Sequence, residues 1–137
     1  MLFRSLLGGN DEQLRAARES VLARQRDDGG WSQTLGMASD AYATGQTLFV
    51  LQESGLAPSA PEYQRGVRNL LATQKEDGSW LVETRAKPVQ VFFDNGDPHG
   101  KHQFISISAT AWAVTALAET LPRPLPAADA TPVSTDK

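Results

Sequence analysis

Gln25-Arg26-Asp27-Asp28-Gly29-Gly30-Trp31 and Gln74-Lys75-Glu76-Asp77-Gly78-Ser79-Trp80 are two copies of one pattern, Q-x-x-D-G-x-W, set 49 residues apart. A second match follows each tryptophan. Ala43-Thr44-Gly45-Gln46-Thr47-Leu48 is similar to Ala109-Thr110-Ala111-Trp112-Ala113-Val114, at an offset of 66. The two offsets differ by 17, which places an insertion between Trp80 and Ser106. A fixed internal period marks a repeat architecture. The unit here is a helix, a Gln–Gly–Trp corner and a second helix.

Working outward from the corners, the periodicity predicts four helices. The first covers about 11–24, with Asn10 as N-cap and Gln13 three residues on. Leu14, Ala17, Val21 and Leu22 form its apolar stripe, and Arg15, Arg18, Glu19 and Arg24 its polar face. The second covers about 40–54, capped by Ser39 and closed by Gly55. Its run Leu48-Phe49-Val50-Leu51 covers a full turn, which predicts burial on every side and an inner position. The third covers about 60–73, with a Ser59/Glu62 capping box, Pro61 in the first turn and a stripe of Tyr63, Val67, Leu70 and Leu71. The fourth covers about 106–120, is apolar most of the way round and is rich in small residues. The order outer, inner, outer, inner predicts two layers. Residues 1–10 read as a leader, 11–121 as the repeat domain with an insertion loop at about 82–105, and 122–137 as a Pro-rich disordered tail.

Composition removes several functions. The chain of 137 residues has 13 basic and 16 acidic residues, a net charge of −3 and a pI near 5.3. That excludes an electrostatic nucleic-acid binder, which shows a basic face. No cysteine is present, so disulfides and thiolate metal sites are excluded. No apolar run approaches the roughly 20 residues of a membrane span. The start, Met1-Leu-Phe-Arg-Ser-Leu-Leu-Gly-Gly9, lacks the apolar core of a signal peptide. The expected location is the cytoplasm, or the periphery of a membrane.

Arg65-Gly66-x-x-Asn69-Leu70-x-x-x-Gln74-x-x-x-Gly78-x-Trp80 resembles the QW motif of squalene-hopene cyclases and their terpenoid-cyclase relatives. Asn69 stands where that motif has an aromatic. In the first copy Ala17, Val21, Gln25, Gly29 and Trp31 match, whereas Ala16 is not basic and Ser20 is not aromatic. Phe92-Phe93-Asp94-Asn95-Gly96-Asp97-Pro98-His99-Gly100 resembles the aromatic–Gly–x–Pro loop before an inner cyclase helix. The resemblance covers roughly residues 12 to 120 and implies an all-α, (α/α) toroid segment of two hairpins. It also implies that each Gln bonds a helix end while the Trp stacks on it. Gln25, Gly29, Trp31, Gln74, Gly78 and Trp80 are therefore expected to be structural clamps.

The resemblance further implies a terpenoid-cyclase-like domain contributing to an apolar isoprenoid cavity. Such cyclases protonate an alkene with an Asp-x-Asp-Asp motif, and this sequence has none. Enzyme activity would thus be cyclase-like by resemblance, with the catalytic acid elsewhere or absent. Asp27-Asp28 and Glu76-Asp77 are expected to be solvated. Tyr42, Phe92, Phe93 and Trp112 are the candidates to line an apolar cavity, where aromatic faces stabilise carbocations. Asp94 and Asp97, with His99 and His102 nearby, have cation-like spacing but too few ligands, and read as turn residues. No cofactor or metal is expected. Sparse acids on the inner helices count against a carbohydrate-active (α/α) enzyme. The alternative function is a non-catalytic helical scaffold for protein assembly.

The resemblance implies that closing the toroid takes about twelve helices, and repeats hide their apolar faces only against neighbours. Leu48 and Trp112 are expected to face an unfilled lumen. The chain is expected to be a C-terminal piece of a longer toroid, a partner for itself or a second toroid-completing chain, or a marginal half-barrel.

Overall fold

A computed structural model of the chain describes residues 11–87, 89 and 91–121. Among these residues the secondary structure is all helical. Helix α1 spans Asp11–Leu22, α2 Ala41–Glu53, α3 Pro61–Thr73 and α4 Gln103–Ala118, the last entered through a 3₁₀ turn at Gly100–His102. The expected Asn10 cap, the leader and the tail lie outside the described residues.

The core sits where α2 crosses α4. That crossing is close because its residues are small. A Cβ placed on Gly45 would lie 2.6 Å from the carbonyl carbon of Trp112, which only glycine avoids. Ala109, Ala113 and Ala116 of α4 are fully buried. Helix α3 lies over this pair and buries Tyr63, Val67 and Leu70. Its Gly66 meets the side chains of Leu48 and Trp31. Helix α1 buries no residue fully, and Val21 and Leu22 reach the core only from its edge.

The helix ends show where local rules won and where tertiary contacts did. Helix α2 closes in a Schellman motif: Leu56 N donates to Leu51 O, Gly55 N donates to Gln52 O, and Gly55 has φ +95°. Its N-cap is Asp40, not Ser39. The Asp40 carboxylate accepts from Ala43 N at 2.8 Å, while the Ser39 hydroxyl turns away to Asp28. At α3 the Ser59/Glu62 box does not form. Ala60 is the N-cap and makes no side-chain bond, because Pro61 presets the first turn without one. Helix α1 stops two residues before the expected Arg24. Helix α4 starts earlier than expected, at Gln103, because the buried Gln103 and Ser106 side chains tie its first turns to the preceding loop.

Three burial expectations also change. Val50 is 52% exposed, so α2 is not buried all round. It lies on an edge of α2 that no helix among the described residues covers. Leu71 is exposed, one step off the stripe that Tyr63, Val67 and Leu70 define. Leu48 does not face an open lumen: it is fully buried under Gly66 of α3. Trp112 is half-buried, its ring centroid 5.4 Å from that of Phe49.

Candidate functional site

The two corners are built bond for bond alike. In the first, Gly29 N donates to Arg26 O and Arg26 N to Gly30 O. In the second, Gly78 N donates to Lys75 O and Lys75 N to Ser79 O. Asp28 accepts from Gly30 N at 2.9 Å, and Asp77 accepts from Ser79 N at 3.0 Å. Gln25 and Gln74 donate to Gly29 O and Gly78 O at 2.8 and 2.9 Å. Gly29 and Gly78 take φ +85° and +82°, which the tight turn requires and side chains resist.

The tryptophans serve the C-terminal helix ends, and of the two glutamines Gln25 reaches a helix end, Glu62 O in the first turn of α3, whereas Gln74 holds only its own turn. Trp31 Nε1 donates to Val21 O at 2.9 Å, and Trp80 Nε1 to Leu70 O at 2.8 Å. Each indole thus adds a donor to a carbonyl in the last turn of the preceding helix, which Arg24 N also reaches at Val21 O and Thr73 Oγ1 at Leu70 O. Each Trp amide in turn donates to a threonine of the following helix, Thr44 at 2.9 Å or Thr110 at 3.1 Å. The glutamines hold the turn itself, and Gln25 makes one bond more, to Glu62 O of α3 at 2.8 Å. Tyr63 serves α4 as the indoles serve α1 and α3: its hydroxyl donates to Ala116 O at 2.9 Å. Burial, reinforced by Glu119, pushes the Tyr63 phenol up to about 12.

The insertion is pinned along α4. Val82 N donates to Ser106 Oγ at 3.0 Å, Thr84 N to His102 Nδ1 at 3.0 Å and Gln103 Nε2 to Phe93 O at 3.1 Å. Asp94 and Asn95 accept backbone amides two residues ahead, as turn residues do. Among the described residues no group of three His, Cys, Asp or Glu side chains converges.

Two cavities flank α4. One, of about 390 Å³, is lined by Gln33, Tyr42, Arg85, Phe104, Ile105 and Ser108, among others. Arg85 reaches Gln33 Oε1 there, and Gln33 Nε2 reaches the Asp40 carboxylate at 2.8 Å. The other, of about 400 Å³, lies between the second corner and the outward face of α4. Ser79, Pro98, His99, Ile107, Thr110 and Val114 line it.

The structure does not gather the aromatic candidates. Tyr42 lines the first cavity, and Trp112, Phe92 and Phe93 do not. Trp112 packs on Phe49, while Phe92 and Phe93 are exposed on the loop. Phe104, inside the insertion loop expected at about 82–105, is the second aromatic of the Tyr42 cavity. Sequence reasoning also missed a polar chain at the second corner. Ser79 Oγ donates to Asp77 Oδ1 at 2.6 Å and lies 2.7 Å from His99 Nε2. The Ser79 hydrogen bonds, with His99 nearby, hold the Asp77 carboxyl below the usual carboxylate range. The single hydroxyl proton points at the carboxylate, so the serine accepts from histidine rather than giving its proton to a base. The arrangement is a clamp on the turn. Its only sequence signal is Ser79 in the place of Gly30. His99 holds it from a left-handed backbone, φ 78°.

No helix among the described residues is long and apolar enough to cross a membrane. Comparison of the chain with protein-family models, curated proteins and solved structures found no match to any of them.

Proposed function

We propose that the chain is a squalene-cyclase-like (α/α) toroid segment, an arc of two hairpins that contributes wall to an apolar isoprenoid cavity. It carries no proton donor of its own. The observation that supports this most is the recurrence of the whole corner, with its Gln, Gly and Trp bonds, at the QW spacing. A unit repeated with the same internal bonds and the same inner-helix anchor is built to be extended. The half-exposed aromatic pair Phe49 and Trp112, and the Tyr42–Phe104 cavity, supply apolar and aromatic surface of the kind an isoprenoid would contact.

Titration with a soluble isoprenoid alcohol, followed by tryptophan fluorescence, tests this reading. Trp31 and Trp80 are buried, so the expected change comes from Trp112 and disappears in Trp112→Phe. Incubation with squalene is expected to give no cyclic product from this chain alone. Absence of any binding contradicts the cavity reading.

A second reading, a scaffold for assembly, draws on a separate observation. The outward face of α4 is apolar and uncovered among the described residues, with Ile107 44% and Val114 53% exposed. Such surface is the usual mark of a contact site.

A further inference from the structure

We propose that the α4 end of one copy docks on the α1–α2 end of another, head to tail, and that three copies close a ring. The proposal rests on the reading of the hairpins as one arc of a toroid, and it deepens that reading by naming the partner.

The interface within the chain is the template. At the first corner α3 is the cover: Gln25 bonds Glu62 O, Arg65 donates to Arg26 O and Asn69 donates to Asp28 O. At the second corner no helix among the described residues takes that place. Residues 122–137 bring four prolines and no repeat of the α3 pattern. In a second copy the helix in the α3 register is α1, where Ala16, Ala17 and Ser20 stand for Arg65, Gly66 and Asn69.

The side chains at these positions have traded size. A Cβ on Gly66 would lie 2.8 Å from a methyl carbon of Leu48. On α4 the Leu48 position is Val114, shorter by one carbon, which makes room for the methyl of Ala17. A Cβ on Gly30 would lie 2.8 Å from Asn69 Oδ1. At the second corner that glycine is Ser79, and the facing residue would be the shorter Ser20. Gly78 keeps the place of Gly29, whose Cβ would strike the carbonyl of Arg65 at 2.5 Å.

The inner helices match in the same way. Ile107, Ala111 and Val114 of α4 hold the register of Ala41, Gly45 and Leu48 of α2, of which Gly45 meets the backbone of Trp112 and Ala113. At the other end of the arc Val50 holds the register of the buried Ala116, yet is exposed. Ala111 forbids the close approach that Gly45 allows, so the contact between copies is wider than that within one. Larger residues fill it, Ile107 for Ala41 and Val50 for Ala116, as a wider crossing needs. Among the described residues both faces are uncovered, and each matches the register of the other. That makes the contact heterologous, which closes as a ring and leaves a dimer with open ends. On the toroid reading about twelve helices complete the circle, which three copies of the four described helices supply.

Native mass spectrometry and light scattering of the full chain provide the test. The expected mass is that of three chains. Val114→Asp and Ala17→Trp alter exposed positions at opposite ends, and each is expected to give single chains with an unchanged far-ultraviolet circular dichroism spectrum. Mixed together, the two variants retain one undamaged pair of ends and are expected to form a dimer. Ala16→Arg restores the Arg65 position and is expected to lower the assembly midpoint about fivefold. A wild-type chain that stays single, a symmetric dimer indifferent to both substitutions, or a mixture that stays single overturns the proposal. A crystal structure of a single-chain wild type separates the causes. If α3 still covers the first corner and α2 crosses α4, self-docking alone has failed. If the crossing is absent, the arc reading has failed with it.

Discussion

The first and second corners carry the same Gln, Asp, Gly and Trp and the same internal bonds, yet the glycines of the first are buried and the second is wet. Gly29 and Gly30 are buried beneath α3, while Gln74 to Gly78 are exposed. Both tryptophans are buried all the same. The corner as a folding device is therefore local: a turn, a carboxylate on its amide, an amide side chain on its carbonyl, and an indole on the last turn of the preceding helix. The seal between repeats is a separate layer, added by three contacts with α3. Substitutions that touch the device should cost the same in both copies. Those that touch the seal should cost only in the first.

The largest expected effect tests the shared device. Trp31→Ala and Trp80→Ala each remove a buried indole and its bond to a helix-end carbonyl. Each is expected to cost about 3–5 kcal/mol in chemical denaturation, enough to unfold much of a domain this small. A large difference between the two would break the equivalence. Next come the exchanges that put each corner's residue into the other. Gly30→Ser drives a Cβ against Asn69 and Ser39, both within 2.8 Å, and is expected to cost about 1–3 kcal/mol. Ser79→Gly loses only a partly exposed clamp and is expected to cost about 0.5–1 kcal/mol.

The glutamines sharpen the contrast at smaller magnitude. Gln25→Ala loses two bonds, one of them to α3, and is expected to cost about 1–2 kcal/mol in a urea melt. Gln74→Ala loses one exposed bond and should fall within about 0.5 kcal/mol of wild type. Smallest is the acid response of the second corner. Its Asp77 pKa is lowered in the folded state, so its contribution is present above the unfolded carboxylate value. That contribution is lost as pH falls through the folded one. A carboxyl titration by nuclear magnetic resonance should find Asp77 titrating below the ordinary range, and Ser79→Gly should move it back up.

Much of the fold was legible because its signals are local. The repeat, the four helices, the Gly55 closure and the stripe of Tyr63, Val67 and Leu70 follow from spacing and from the backbone demands of glycine and proline. What was not legible depends on partners distant in sequence. Ser39 and Asp40 are both good caps, and only the pull of Asp28 on Ser39 leaves the role to Asp40. The run Leu48–Leu51 reads as buried all round, but burial of Val50 needs a neighbour that no described helix supplies. The division of labour between Gln and Trp turns on which group reaches the Val21 and Leu70 carbonyls. At the candidate site the sequence pointed to four aromatics, and only Tyr42 lines a described cavity, with Phe104 beside it. The Ser79–His99 contact spans 20 residues across the insertion, which no spacing rule reaches.

Amide hydrogen exchange in the single-chain Val114→Asp variant tests the two-layer account most directly. Gly30 N and Ser79 N make the same bond, each to the carboxylate two residues back, and differ in whether a helix covers them. The account predicts a protection factor at least about tenfold higher at Gly30 than at Ser79. Equal protection at the two amides, or greater protection at Ser79, would contradict it.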